Sequence, residues 1–338
     1  HIYSYLRTGF FFKKSTPYKN TFEIDAGHYY NINLKSLEIK ENSYFDILDY
    51  YKKDSTLSFS ESIEKLDQLL HKSVKDRLMS SDLDVGTFLS GGIDSSLIVA
   101  IASQYKSNLK TFTVKFENSY DESPLAKLSA TKYNTNHYEI PISMNLTNDV
   151  ESILNNYGEP FMDSSAIPSY YISKEAKKFV TVVLNGDGAD ELFGGYRRYV
   201  PIANHWLNIA SNFSFLMKVF NKPNSKKSLY NYIYRLLAMS NKSGLDFYLS
   251  ATNDIFEDEY KFKNNNLMNK INKYILDIQS INDISELSKI LYLDFNIILF
   301  SDLLKKMDIA TMSNSLEGRS PFLSKYMLGY IIKILSKL

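Results

Sequence analysis

Residues 83–104 read LDVGTFLSGGIDSSLIVAIASQ, and few folds accommodate such a stretch. Positions 85–89 are a short apolar run closed by glycines, the pattern of a buried strand. Ser90, Gly91 and Gly92 make a turn in which the backbone needs positive φ or must let another group come close. From Asp94 onward Leu97, Ile98 and Ile101 recur at helical spacing, so the spacing predicts a helix with Ser95 and Ser96 in its first turn. A glycine turn feeding a helix N-terminus aims several backbone N–H groups at one point. The helix dipole adds partial positive charge there, so the point suits an anion.

The common phosphate loop, GxxxxGK[ST], sets a lysine beside its hydroxyl residue. Here Gly92 is followed by Ile93, Asp94, Ser95 and Ser96, with no lysine. An aspartate in the cradle repels a bare polyphosphate and suits one that carries Mg²⁺. The string SGGIDSS resembles the pyrophosphate loop of the ATP pyrophosphatases, which cleave ATP between its α and β phosphates.

Further strands are predicted at 109–116, 137–140 (stopped by Pro141) and 180–184, with helices at 59–79, 121–134, 150–157 and 167–179 between them. Ser58 and Glu61 are spaced as a capping box. The face Ile63, Leu66, Leu70, Val74 and Leu78 reads as core. Strands alternating with helices imply right-handed crossovers and a mainly parallel sheet covered on both faces. Ligands of such sheets sit at the carboxyl ends of strands. A second suspicious loop falls there, NGDGADELFGGYRRY at 185–199, where Asp187, Asp190 and Glu191 crowd one glycine-rich turn. Clustered carboxylates repel unless a cation sits among them. From Pro201 onward helical patterns dominate. Near the end, Met307, Ala310, Met312 and Leu316 read as packing. Glu317 and Arg319 read equally as a partly buried ion pair or as a substrate contact.

The chain has 338 residues, a formal net charge of +1, 44% hydrophobic residues and no cysteine. That is room for more than one core. Near-neutral charge argues against a nucleic-acid partner held by bulk electrostatics. Without cysteine there is no disulfide framework and no thiolate nucleophile or metal ligand in these residues. With neither a signal peptide nor an apolar run of membrane length, a cytoplasmic protein without a membrane partner is expected. The opening His1 and a closing helical pattern suggest a fragment. Residues 1–53, rich in Tyr, Phe and Asn, read as strands and loops with a turn at Asp25, Ala26 and Gly27. No catalytic constellation is visible there, and His28 reads as a turn or packing residue.

Taken in order, SGGIDSS, TVKF at 113–116, the Asp121–Glu122 pair, EPFMDSSAIPSY at 159–170, NGDGADELFGGYRRY and SLEGRSPFL at 315–323 resemble the glutamine-dependent asparagine synthetases over most of the chain. The resemblance implies an adenine nucleotide alpha hydrolase-like (PP-loop) α/β fold, a parallel sheet covered by helices and followed by a mostly helical C-terminal half. It also implies a division into 1–53, similar to the tail of a class II glutaminase domain, and 54–338, an ATP-binding synthetase domain. The nucleotide layer of the latter would span about 60–200 and its helical half about 201–338.

The implied chemistry is ATP-dependent amide formation. A carboxylate, aspartate in the commonest case, is adenylated, and ammonia or glutamine-derived nitrogen gives asparagine, AMP and pyrophosphate. Siblings use a sugar acid, a peptide or a lactam precursor, and a weakly active or inactive nucleotide-binding relative is a third reading. The family's N-terminal cysteine nucleophile is not in this chain. By resemblance Ser90, Gly91, Gly92, Asp94, Ser95 and Ser96 hold pyrophosphate, and Asp94 and Asp190 hold Mg²⁺. Phe88, Leu89 and Val114 receive adenine, and Gly186 the ribose. Asp187 accepts a proton from ammonia. The resemblance also leaves room for a homodimer.

Three positions depart from the family pattern: Ile309 where Lys or Arg follows the aspartate matching Asp308, Ser324 where PFLD ends in Asp, and Gly158 where an acid precedes Glu159. If nothing replaces the cation missing at 309, Ile309→Lys is expected to speed adenylation by roughly one to three orders of magnitude. If Lys305, Lys306, Arg197 or Arg198 replaces it, the substitution is expected to do little.

Overall fold

The computed structural model describes residues 5, 6, 8–52, 57–116, 121–142, 147–218, 228–252 and 265–335. The boundary expected at 53/54 lies outside the described residues. Two compact units form. One combines His1–Lys53, Asp190–Ile297 and Leu335–Leu338, and the other combines Asp54–Ala189 and Ile298–Ile334.

In the first unit, strands β1 (His28–Ile32) and β2 (Ile39–Ser43) form an antiparallel hairpin with His28 opposite Ser43 and Ile32 opposite Ile39. Gly27, at φ +75°, makes the entry turn. Its left-handed backbone explains a glycine there. Helices Leu229–Ser240, Asn265–Gln279 and Glu286–Asp294 follow. Phe12, Tyr199, Tyr248, Ile271 and Tyr292 are buried. Asp294, with no exposed surface, accepts hydrogen bonds from Arg198 Nη2 at 2.8 Å, Tyr248 at 2.9 Å and Tyr199. Three donors offset the cost of burying that carboxylate away from water.

In the second unit, helix α1 (Phe59–Met79) begins at the predicted capping box, with Ser58 and Glu61 bonded reciprocally. Its buried face is Ser62, Leu70, Ser73, Val74 and Leu78, while Ile63 is exposed. The expected stripe is thus rotated toward the two serines. The rotation has a cause in Ser73, whose hydroxyl donates to the Pro321 carbonyl at 2.6 Å.

The sheet follows as β3 (Val85–Phe88), β4 (Lys110–Phe116), β5 (Asn136–Ile142), β6 (Val182–Leu184) and β7 (Glu317–Arg319), in spatial order β5-β4-β3-β6-β7. Every pairing is parallel, as the alternation of strands and helices requires. The central strand β3 is buried at all four positions. A Cβ at Gly86 would come within 2.8 Å of the Phe112 ring, so only glycine lets β3 and β4 close up there.

Strand β5 continues through Pro141, where the sequence suggested a stop. Proline is tolerated because β5 is an edge strand, with no neighbour on its outer side among the described residues. Between the strands lie α2 (Ile93–Tyr105), α3 (Ser123–Lys132), α4 (Thr147–Tyr157) and α5 (Ala166–Ala176). After β6, α6 (Leu304–Met312) leads to β7. Phe88, Phe112, Ile140, Ile172, Ala176, Val180, Val183 and Leu316 form one core cluster of this unit. Among the described residues no helix is long and apolar enough to cross a membrane.

Candidate active site

The carboxyl ends of β3 and β6 lie side by side, since Val85, Gly86 and Thr87 pair with Val182, Val183 and Leu184. The loops that leave them therefore meet. After β3 comes 89–92, and α2 starts with Gly92 as an N-cap that has no side chain to satisfy the first-turn N–H groups. Neither Gly91 nor Gly92 adopts positive φ. Of the two reasons for glycine weighed from the sequence, close approach decides. A Cβ at Gly91 would lie 2.9 Å from that of Leu125, and one at Gly92 would lie 3.2 Å from Ser90 Oγ.

The loop is held by its own hydroxyls. Ser90 N donates to Ser95 Oγ at 3.0 Å, the two hydroxyls lie 2.8 Å apart, and Gly92 N donates to Ser90 Oγ at 3.1 Å. Gly91 N donates to Glu122 Oε2 at 3.3 Å. A carboxylate thus already meets one N–H of the loop, which is the kind of group such a turn attracts.

After β6, Gly186 lies so close to α2 that an added Cβ would be 3.4 Å from that of Asp94 and 3.5 Å from Ser95 N. Gly188 has φ +87°, and a methyl there would strike Leu323. The Asp187 carbonyl accepts a hydrogen bond from Ser320, and Asn185 N donates to the Arg319 carbonyl at 3.0 Å. The segment 319–323 therefore buttresses this loop.

A cavity of about 470 Å³ opens between the two loops and β4. Of the residues singled out in the sequence, Phe88, Leu89, Ser90, Asp94, Ser95, Val114, Gly186 and Asp187 line it. Gly91, Gly92 and Ser96 do not. Ser96 Oγ turns to Ser129 Oγ at 3.1 Å. Asp190 belongs to the other compact unit. Burial raises the Asp190 carboxyl above its ordinary range, against the pull of Arg198.

Sequence reasoning passed over Thr113, Glu122, Asn185 and Ser169 as lining residues. Thr113 sits beside Val114 on β4, and Asn185 opens a motif already noticed, so position along a recognised element was a usable signal. Asn185 Oδ1 is buried with no hydrogen-bond partner among the described residues. Ser169 lies within EPFMDSSAIPSY, so the same signal was available there.

Three of the four cations considered in place of Ile309 are committed elsewhere. Lys305 pairs with the buried carboxylate of Glu159. Lys306 reaches Asp163 Oδ2 and Ser165 Oγ, each at 2.8 Å. Burial would raise Asp163, but Lys306 and Ser165 outweigh it and hold the carboxyl below its usual range. Arg198 is held by Asp294, and Arg197 is exposed. Asp302 is pushed up to about 7, first by burial and then by Asp163, with Lys306 opposing. Ile309 packs against Ile153, Tyr157, Phe161 and Ala166. Glu317 and Arg319 do form an ion pair, at 2.7 Å, and Arg319 also donates to the Arg77 carbonyl at 2.7 Å. Among the described residues no group of three or more His, Asp and Glu gathers as a metal site.

A lysine-free glycine loop at the carboxyl end of a central parallel strand, facing an acidic loop across a cavity, defines an α/β protein with its candidate site at the carboxyl ends of the strands. The chain belongs to the asparagine synthase family, whose model matches residues 65–336. It is 34% identical over 289 residues to asparagine synthetase [glutamine-hydrolyzing] 1 of Bacillus subtilis, covering 78% of this chain and 44% of that protein. It is 38% identical over 205 residues to a putative asparagine synthetase [glutamine-hydrolyzing] 2 of Methanocaldococcus jannaschii, covering 58% of this chain and 38% of that one. The chain thus spans less than half the length of these relatives. The solved structure of NMN synthetase from Francisella tularensis has 15% sequence identity and a TM-score of 0.33 over 69% of this chain and 91% of that one, too slight a likeness to bear on fold or chemistry.

Proposed function

We propose that the protein is an ATP-dependent amide-forming ligase that adenylates a carboxylate, aspartate first among them, and transfers ammonia to it. The observation that carries this reading is the loop Ser90–Gly91–Gly92 and Asp94 facing Gly186 and Asp187 across one cavity, in a chain of the asparagine synthase family. Residues 1–53 are then the tail of a glutaminase domain, and the longer relatives are glutamine-hydrolyzing by name.

In this reading the pyrophosphate part of ATP lies against the first-turn N–H groups of α2 and the hydroxyls of Ser90 and Ser95, with adenine toward Phe88, Leu89 and Val114. The α-phosphorus then faces the Gly186–Asp187 loop. A carboxylate oxygen attacks that phosphorus, and the bond to the β-phosphate oxygen breaks and releases pyrophosphate. Ammonia attacks the acyl carbon, Asp187 takes the proton, and the bond to AMP breaks. Backbone donors already in place stabilise the leaving charge without reorganising. Asp94, which lines the cavity, is our candidate for Mg²⁺. The donor set fits, since Mg²⁺ bound with nucleotides takes one or two protein carboxylates and fills its shell with phosphate oxygens and water. Bound there, the ion supplies positive charge to the leaving group.

Calorimetric titration with ATP tests the assignment without turnover. Asp94→Ala is expected to weaken binding in Mg²⁺ by about tenfold or more, and to change binding in EDTA far less. Equal affinity of a folded Asp94→Ala for MgATP refutes it.

A further inference from the structure

A second cavity, also of about 470 Å³, lies within the unit that contains residues 1–53 and 190–297. Its volume is ordinary for a small-molecule pocket, about 300–1,000 Å³. Its walls carry both signs of charge, with Lys13 and Lys273 among the cations and Asp25 and Asp46 among the anions, beside the rings of Phe45 and Tyr274. Nothing in the ligase chemistry uses it.

Lys13 is only 8% exposed. An ammonium this far from water is costly unless countercharge or a ligand comes to it. Its Nζ donates to the Tyr274 hydroxyl at 3.0 Å and to Asn296 Oδ1 at 3.1 Å, and it lies 4.5 Å from the centre of the Tyr274 ring. Burial lowers its pKa to about 8, with Asp25 and Asp46 pulling the other way. Both carboxylates therefore sit within electrostatic reach of Lys13.

Asp25 is the complementary pole. Its Oδ2 pairs with Lys14 at 3.2 Å, and Lys14 is held in turn by Glu41 at 2.6 Å. The other oxygen, Oδ1, is buried and has no hydrogen-bond partner among the described residues. A buried carboxylate oxygen left unmatched is destabilising, and native structures leave few of them without a reason.

The ligand class follows from the two poles together. A bare anion drawn to Lys13 meets the repulsion of Asp25 and Asp46, and a bare cation drawn to Asp25 meets Lys13 and Lys273. A molecule with an ammonium and a carboxylate on one carbon satisfies both poles at once. We propose that this cavity binds a small zwitterionic α-amino acid, its carboxylate on Lys13, its ammonium on Asp25 and its side chain against Phe45 and Tyr274. The site is separate from the loop at Ser90, so it stands or falls independently of the ligase reading.

Calorimetric titration of the chain with glycine, L-glutamine and L-asparagine, with acetate and ethylamine as single-charge controls, tests it. At least one amino acid is expected to bind with Kd below about 1 mM, and about tenfold more tightly than either control. Lys13→Met and Asp25→Asn are each expected to weaken that binding by about tenfold, and Asp94→Ala to leave it unchanged. Asp25→Asn keeps the shape of the side chain, so it decides the matter if Lys13→Met does not fold. Absence of saturable binding up to about 10 mM overturns the proposal. So does binding that survives Asp25→Asn, or binding lost in Asp94→Ala, which would assign the amino acid to the first cavity.

Discussion

Ile309 stands where the resemblance implies a cation near the phosphates, and its packing in an apolar cluster changes what a lysine there would do. Its neighbours Ile153 and Phe161 offer an ammonium no acceptor, and the Tyr157 hydroxyl is already engaged with the Lys306 carbonyl. Ile309→Lys is therefore expected to lower stability by about 1–3 kcal/mol, with no gain in pyrophosphate release, while Ile309→Met costs under about 1.5 kcal/mol. Faster release at an unchanged melting temperature would restore the first expectation. Asp302 gives a second test at this scale. Its carboxyl, raised to about 7, holds a proton in the folded chain that the unfolded chain releases near pH 4. The folded state binds more protons across that interval, so stability falls as pH rises from about 4 to about 7 and is level above. Asp302→Asn cannot ionise. Its melting temperature is expected to gain on the wild type over that same interval and to hold a constant lead above it. A lead that does not vary with pH would mean that Asp302 is ionised throughout.

The elements set the limits within which the loops can vary. The turn after β6 passes so near 321–323 that Gly188 has two constraints, a left-handed φ and the Leu323 side chain. Gly158, at φ +64°, shares only the first, because an added Cβ there has nothing within 4 Å. Gly158→Ala is expected to cost about 1 kcal/mol, from backbone strain alone. Gly188→Ala is expected to cost about 2–4 kcal/mol, because a clash in a packed region adds to that strain. Chemical denaturation of the two variants gives the comparison, and equal losses would show that Leu323 yields freely. The same packing explains why β7 belongs to the site although it is only three residues long. It carries Arg319, whose carbonyl accepts from Asn185 N and so fixes where the acidic loop begins.

For the whole molecule the strongest consequence of family and site is which phosphate bond breaks. In the proposed reading, a loop without a phosphate-loop lysine and with Asp94 at its edge holds the leaving pyrophosphate. With aspartate and ammonia, AMP and pyrophosphate are expected to appear in equal amounts, with no stoichiometric ADP, as followed by chromatography of the nucleotides. ADP as the main product would exclude adenylation whatever the acceptor. If other carboxylates release pyrophosphate faster than aspartate does, the amide-forming reading stands and its substrate changes.

The sequence by itself determined the parallel α/β sheet, the glycine loop on its central strand and the second loop at 185–199. Each is written in local signals: apolar runs, glycine turns, helical spacing and a capping box. Those signals act over a few residues, so they survive without knowledge of the fold. Tertiary structure decided what depends on distant partners. Strand β7, reading only Glu-Gly-Arg, exists because β6 offers it an edge. Pro141 stays in β5 because that strand has no outer neighbour among the described residues. Lys305 and Lys306 are committed to Glu159 and Asp163, and Ile309 to an apolar cluster. Residues 1–53 group with 190–297 and enclose Lys13. Burial and charge pairing are sums over neighbours that the chain brings together only on folding, so no local pattern records them.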